Sequence, residues 1–162
     1  MTTINAASEA IIRAALPEEA QSISRLALRS KAYWGYDPAF IEDCRPALTL
    51  TPEYIAAHPV FVLEAAGQVL GFYSLVGKQS DVELDNLFVE PCAIGRGCGQ
   101  RLFRHAVEMA QALGFGCMLI ESEPNAEGFY QAMGAVRYGE RVSPIRADRR
   151  LPMLRLVLGG GA

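Results

Sequence analysis

The sequence is short of the features that mark several function classes. No stretch of its 162 residues approaches the run of about 18 apolar residues that a membrane-spanning helix needs, so no membrane association is expected. A basic excess is missing too. The formal net charge is −3, whereas nucleic-acid binding usually needs enough Lys and Arg to displace counterions, so no nucleic acid is expected as a partner. Histidine is scarce: His58 and His105 lie in separate segments. None of the cysteines, Cys44, Cys92, Cys98 and Cys117, stands in C-x-x-C spacing. The tight ligand cluster of a zinc site is lacking and no metal is expected; reduced thiols filling apolar space are the better reading. Met1 to Ala10 carry Glu9 and no basic charge, without the basic start and apolar stretch of a signal peptide. The cytoplasm is therefore the expected location.

What remains is the composition of a soluble globular protein, 51% apolar and 20% charged. The length suits one domain, 1–162, with ends 1–9 and 159–162 expected to fray. Ala10 to Ala14 reads as a short strand. Pro17 opens a helix to about Lys31, with Glu18 and Glu19 at its positive end and Ile23, Leu26 and Ala27 at helical spacing. After the aromatic cluster Tyr33-Trp34-Gly35-Tyr36, Asp37-Pro38 reads as an N-cap and first position of a second helix, to about Ala47. Pro52 opens a short turn that Pro59 ends. Val60–Glu64 and Val69–Val76 form a hairpin around Ala66-Gly67-Gln68, and Val82–Val89 is a third strand. A helix from about Gly99 to Leu113 follows, with Leu102, Phe103, Ala106, Val107, Ala110 and Leu113 on one face and Gly114 as its stop. Cys117–Ile120 suits a buried strand and Ala126–Met133 a short helix. Strands near Val136–Glu140 and Leu151–Leu158 complete the pattern. This order predicts an α/β (α+β) domain, a mixed sheet with helices on both faces. Arg141, Arg146, Arg149, Arg150 and Arg155 crowd the C-terminal part and are expected on a solvated, flexible surface.

Gly95, Gly97 and Gly99 come directly after a strand and open a helix. Glycine there permits left-handed backbone angles and lets a phosphate approach backbone N–H groups, which at a helix start are unpaired and lie at the positive end of the dipole. The loop is a candidate pyrophosphate cradle; a tight turn with no ligand is the plain alternative. A Walker loop would need Gly-Lys-Ser/Thr, but Gly99 is followed by Gln100 and Arg101. A Rossmann fingerprint needs Gly-x-Gly-x-x-Gly near a first strand, and this loop is Gly-x-Gly-x-Gly after a hairpin.

Leu87-Phe88-Val89-Glu90-Pro91, the loop Gly95-Arg96-Gly97-Cys98-Gly99 and then Leu102 resemble the acetyl-CoA motif of the GNAT superfamily of N-acetyltransferases. Ile94 stands where that family commonly has Gln or Arg. The departure takes away one polar side chain and leaves the backbone cradle, with Arg96 beside it as a source of positive charge. Asn125, Phe129-Tyr130 and Gly134 are similar to a second family segment at the expected separation, and Ser30 to Tyr36 looks like a bacterial subgroup. The resemblance covers the element order from about residue 10 to 158 and is sharpest from about Glu83 to Gly139. It implies the GNAT fold, a mostly antiparallel twisted sheet of six to seven strands splayed between strands 4 and 5. It implies acetyl-CoA as cosubstrate, without a metal, held by Ile94, Gly95, Arg96, Gly97, Cys98, Gly99 and Gln100 and by Asn125, Phe129 and Tyr130. The backbone of Leu87, Phe88 and Val89 would pair with the amide arm of CoA, as strand addition by a ligand.

Acetyl transfer to an amine is attack of a neutral nitrogen on a thioester. An alkylamine of pKa ~10.4 is almost wholly protonated at pH 7, so a base must accept its proton, and the leaving thiolate needs a donor. Glu83 is the first candidate base, matching in position the glutamate of histone-type GNAT enzymes; Asp85 is the second. Alternation places Glu83, Asp85, Leu87 and Val89 on one strand face, although both carboxylates also suit solvated or salt-bridged strand-end residues. Tyr130 is the candidate acid, with a locally satisfied core tyrosine as its alternative. Asn125 doubles as a candidate N-cap before Ala126. Tyr33, Trp34, Tyr36, Phe72 and Tyr73 are candidates to line the acceptor slot, or else to be core. The expected activity is acetyl transfer to a primary amine by direct attack in a ternary complex, a small-molecule acceptor being favoured. A peptide or protein acceptor, and a non-catalytic acyl-CoA sensor, are the rival readings. A homodimer is left open.

Overall fold

The computed structural model describes residues 10–159. The ends expected to fray fall, except for Gly159, outside the described residues. β1 (Ile11–Ala14) leads through a 3-10 turn, Pro17–Glu19, into α1 (Ala20–Ala32). Then come α2 (Pro38–Leu48), α3 (Pro52–Ala57), β2 (Val60–Ala65), β3 (Gln68–Lys78) and β4 (Asp81–Val89). A 3-10 turn, Pro91–Ala93, precedes α4 (Cys98–Ala112) and β5 (Cys117–Glu121). Another, Pro124–Ala126, precedes α5 (Glu127–Ala132), β6 (Val136–Val142) and β7 (Arg150–Val157).

The sheet has seven strands in the order β1-β2-β3-β4-β5-β7-β6. β4 and β5 are parallel, in register from Asp81↔Cys117 to Glu83↔Leu119, and the other pairs are antiparallel. β4 runs on past that register to Val89. This is the mixed, open sheet of the GNAT fold.

The described chain falls into two compact units. The first comprises the residues up to Ser74 together with Asn86–His105. Its apolar core gathers Ile23, Leu26 and Ala27 of α1, Ile55 of α3, Val60 and Val62 of β2 and Phe72 of β3. The spacing of three and four in α1 and the alternation in β2 thus meet on one face; each fully buried Leu, Ile or Phe adds roughly 1.5–3 kcal/mol. The Asp37 carboxylate caps α2 by accepting from the Phe40 N–H at 2.8 Å, and Thr51 caps α3 through the Tyr54 N–H at 3.0 Å. The helix expected from Pro17 begins instead as the 3-10 turn. There the Glu19 carboxylate accepts from the Leu16 N–H at 2.8 Å and from two Arg13 nitrogens at 2.9 Å each.

The second unit comprises Leu75–Asp85 and the residues from Ala106 onward. Met118 and Ile120 of β5 are buried with Leu154 of β7, while their neighbours Cys117, Leu119 and Glu121 are half-buried. β6, at the sheet edge, is exposed along most of its length. A register shift between Arg137 and Gly139 bends it, a common device for blunting an edge strand. Leu113 departs from expectation: α4 ends at Ala112, Gly114 turns away at φ +88, and Leu113 is left exposed. Among the described residues no helix is long and apolar enough to cross a membrane.

Candidate functional site

In the first unit, β4 ends in half-buried Leu87, Phe88 and Val89. The chain is then pinned: the Glu90 N–H donates to the Leu70 carbonyl at 2.8 Å, Ala93 N–H to Glu90 O at 2.8 Å and Arg96 N–H to Ala93 O at 3.3 Å. Gly95 and Gly97 both adopt φ +82, which explains glycine at these positions. α4 begins at Cys98, one residue earlier than expected, and its first bond of this turn runs from the Arg101 N–H to the Gly97 carbonyl at 3.1 Å. The N–H groups of Cys98, Gly99 and Gln100 precede any i−4 partner in the helix. A Cβ built at Gly95 or Gly97 meets nothing within 4 Å. The loop therefore has open space over its glycines and a helix start beneath, the arrangement a pyrophosphate requires. Gly95, Arg96, Gly97 and Gln100 are exposed, and Ile94 is half-buried.

Two supports of this loop were not visible in the sequence. Arg29 of α1 grips Glu90 with two parallel bonds, Nε at 2.7 Å and Nη2 at 2.9 Å, and the Glu90 hydrogen bond pushes the Arg29 guanidinium up from its ordinary value. Gly71 of β3 lets neighbouring chain come close: a Cβ there would stand 2.8 Å from Leu102 Cδ1 and 2.9 Å from the Phe88 carbonyl oxygen. Cys98 is buried. Burial raises its thiol pKa against the pull of Arg101 and Arg96, which disfavours the thiolate a nucleophile needs. Cys44 is buried as expected, but Cys92 is exposed and Cys117 half-buried, so the expectation that all four fill apolar space holds only in part.

The aromatic candidates divide. Tyr33 and Trp34 are exposed and stand edge to face at 5.2 Å. Tyr36 packs on Phe40 at 4.7 Å, and the Lys31 ammonium lies 5.7 Å from the centre of the Tyr36 ring and 5.9 Å from that of Phe40. Phe72 and Tyr73, expected to line the acceptor slot, have no exposed surface. Phe72 belongs to the core cluster, and the Tyr73 hydroxyl is 2.6 Å from His105 Nδ1. Alternation along β3 sends the two to opposite faces, and both faces of that strand are buried here.

In the second unit, Glu83 is half-buried with Asp85 exposed two residues on. Lys78 Nζ lies 2.9 Å from Glu83 Oε2, and this contact, with help from Asp85, raises the Lys78 pKa. Tyr130 is buried, and burial pushes its hydroxyl well above the ordinary phenol value, so it stays protonated at neutral pH. Its ring meets Phe129 at 5.2 Å in a T-shaped contact. Asn125 is not the N-cap expected of it: the short helix α5 is capped by Ala126 without a side-chain bond, while Asn125 Nδ2 donates to Glu123 Oε1 at 2.9 Å. Arg149 also departs from expectation. Rather than lying on a solvated surface, its Nη2 donates to Glu123 Oε2 at 2.7 Å, both side chains being 15% exposed.

Residues 56–134 match the family model for an acetyltransferase (GNAT) domain. This central segment therefore carries the likeness to the GNAT acetyltransferases, a family of acyltransferase enzymes. No curated protein matches it. Solved structures share its fold. A GCN5-related N-acetyltransferase from Rhodopseudomonas palustris is 23% identical, over 91% of this chain and 95% of its own, with a TM-score of 0.78. The ribosomal-protein-S18-alanine N-acetyltransferase of Escherichia coli is 16% identical, over 94% and 96%, at 0.71. A phosphinothricin acetyltransferase from Sinorhizobium meliloti, solved with acetyl-CoA, is 19% identical, over 95% and 91%, at 0.70.

Proposed function

We propose that the protein moves an acetyl group from acetyl-CoA to the primary amine of a small molecule, by direct attack in a ternary complex. The observation that carries this reading is the loop from Gly95 to Gly99, inside the matched residues 56–134, where two left-handed glycines open onto free space at the start of α4. On this reading the whole chain, 1–162, is one catalytic domain. The N–H groups of Cys98, Gly99 and Gln100 hold the pyrophosphate, Arg96 adds charge, and the backbone of Leu87–Val89 pairs with the amide arm. Asn125 and Phe129 steady that arm. Bound acetyl-CoA supplies a thioester carbonyl activated toward nitrogen. Glu83, or else Asp85, accepts the amine proton, directly or through water, as the C–N bond forms. The Val89 N–H is a donor for the carbonyl oxygen as charge builds on it. Tyr130, kept protonated by burial, donates toward the sulfur as the C–S bond breaks. The exposed Tyr33–Trp34 pair favours a small acceptor, since two ring surfaces can bind one apolar or cationic group.

The test is an acetyl-CoA-dependent thiol-release screen over small amines and amino-terminal peptides, preceded by calorimetry with acetyl-CoA. Thiol release with a small primary amine is expected. Release with peptides alone would change the acceptor class. Binding without turnover on any amine would favour a sensor, and absence of acetyl-CoA binding would overturn the reading.

A further inference from the structure

The turn between β5 and α5 is held by a chain of side-chain hydrogen bonds. Asn125 is exposed, and an exposed amide ordinarily samples several rotamers. Here its Nδ2 donates to Glu123 Oε1 at 2.9 Å. The other carboxylate oxygen, Oε2, receives Arg149 Nη2 at 2.7 Å, from just before β7 and beyond the matched residues 56–134. The Glu123 main chain is held as well: its carbonyl accepts from the Ser122 hydroxyl at 2.7 Å and from the Ala126 N–H at 2.8 Å. Arg149 is fixed in its turn, since its N–H donates to the Arg146 carbonyl at 3.1 Å and its carbonyl accepts from the buried Ser143 at 2.7 Å. A guanidinium, a carboxylate and a carboxamide thus form a relay within one unit, with its first two members largely shielded from water. Shielding strengthens such charge-assisted bonds and holds their geometry.

We infer that Glu123 and Arg149 are positioning residues that set the Asn125 amide for ligand binding. Asn125 directs its carboxamide to the acyl-CoA arm with the Glu123 carboxylate accepting one Nδ2–H, and the carboxylate keeps that attitude because Arg149 holds its second oxygen. This inference rests on the proposed role of Asn125 toward acetyl-CoA. It adds that the loop before β7 controls affinity through a residue it does not itself present to the ligand.

The test is a double-mutant cycle read by calorimetry with acetyl-CoA on the full chain. Asn125→Ala should weaken binding by about tenfold, the scale of one well-placed hydrogen bond. Arg149→Met should weaken it by nearly as much in the Asn125 protein, and by less than about twofold when Asn125→Ala is already present, because the two act through one amide. Arg149→Lys should recover part of the loss by restoring a cationic donor. Should Arg149→Met fail to fold, Glu123→Gln carries the same cycle without leaving an unpaired carboxylate, and the same non-additivity is expected. Equal losses from Arg149→Met in both backgrounds would overturn the relay, since they would report a general structural effect. So would an Arg149→Met or an Asn125→Ala protein that binds as wild type does. Absence of acetyl-CoA binding by the wild type would instead strike the functional reading itself.

Discussion

Gly71 offers the sharpest test of how the fold supports the proposed site. No left-handed angle requires glycine there; the constraint is space alone. The Cβ of an alanine would lie 2.8 Å from Leu102 Cδ1, 2.9 Å from the Phe88 carbonyl oxygen and 3.4 Å from Val89 Cα. The first neighbour is a side-chain end, but Leu102 is fully buried and has little room to turn. The second is backbone, and relieving it means moving the end of β4. Such overpacking costs about 1–3 kcal/mol. In a chain of this size each kcal/mol lowers Tm by about 2–4 °C, so Gly71→Ala should melt roughly 2–12 °C lower. Calorimetric melting and urea unfolding measure this. Because the atoms that must yield belong to Phe88 and Val89, acetyl-CoA affinity should also fall in the folded variant. Gly97→Ala is the counterpart: its Cβ meets nothing within 4 Å, and its cost is the left-handed backbone alone, about 1–2 kcal/mol. A Gly71→Ala protein with unchanged Tm and unchanged acetyl-CoA affinity would refute the close-approach argument.

Gly97→Val should remain folded yet lose acetyl-CoA binding, because its branched side chain fills the space over the loop; unchanged affinity by calorimetry would count against the cradle. Glu83→Gln should lower kcat near neutral pH by about 10²-fold and be partly rescued as pH rises, whereas the defect of Tyr130→Phe should not be rescued; near-wild-type kcat in both would leave positioning of the substrates as the main source of rate. Trp34→Ala should raise the acceptor KM far more than the acetyl-CoA KM; a lowered Tm with normal kinetics would instead assign Trp34 to packing. Arg13 holds the Glu19 carboxyl below its ordinary value of 4.5. The stability Glu19 adds is therefore complete above that value and lost as pH falls through the lower folded one, so Glu19→Gln should flatten the acid limb of stability in urea titrations from pH 7 to 2.

Local rules carried much of this protein. The apolar run Val60–Leu63 before the turn Ala66-Gly67-Gln68 and the three-four spacing of Ile23, Leu26 and Ala27 are properties of neighbouring residues, so the hairpin and α1 could be read directly. Glycine at 95 and 97 is a backbone requirement written in one letter, and both positions prove left-handed. The Asp37-Pro38 start of α2 is equally local. Departures arise where a carboxylate engages near neighbours in ways that hydrophobic spacing does not show. The helix expected from Pro17 opens as a 3-10 turn, Pro17–Glu19, before α1 takes over at Ala20, where Glu19 is engaged by Arg13 and the Leu16 N–H. Asn125 abandons the cap position for Glu123.

By itself, then, the sequence determined the elements, the glycine loop and the kinship of its central motifs, because each depends on residues a few positions apart. Only the tertiary structure decided which side chains meet. It placed β7 between β5 and β6, out of chain order. It buried Phe72 and Tyr73 rather than leaving them to line a slot, and it pressed Gly71 against Leu102 and Phe88. It also drew Arg149 from an apparent surface cluster into a shielded bond with Glu123, 26 residues away. Pairings of that kind follow from strand order and loop closure, and no short-range pattern of hydrophobicity or charge encodes them.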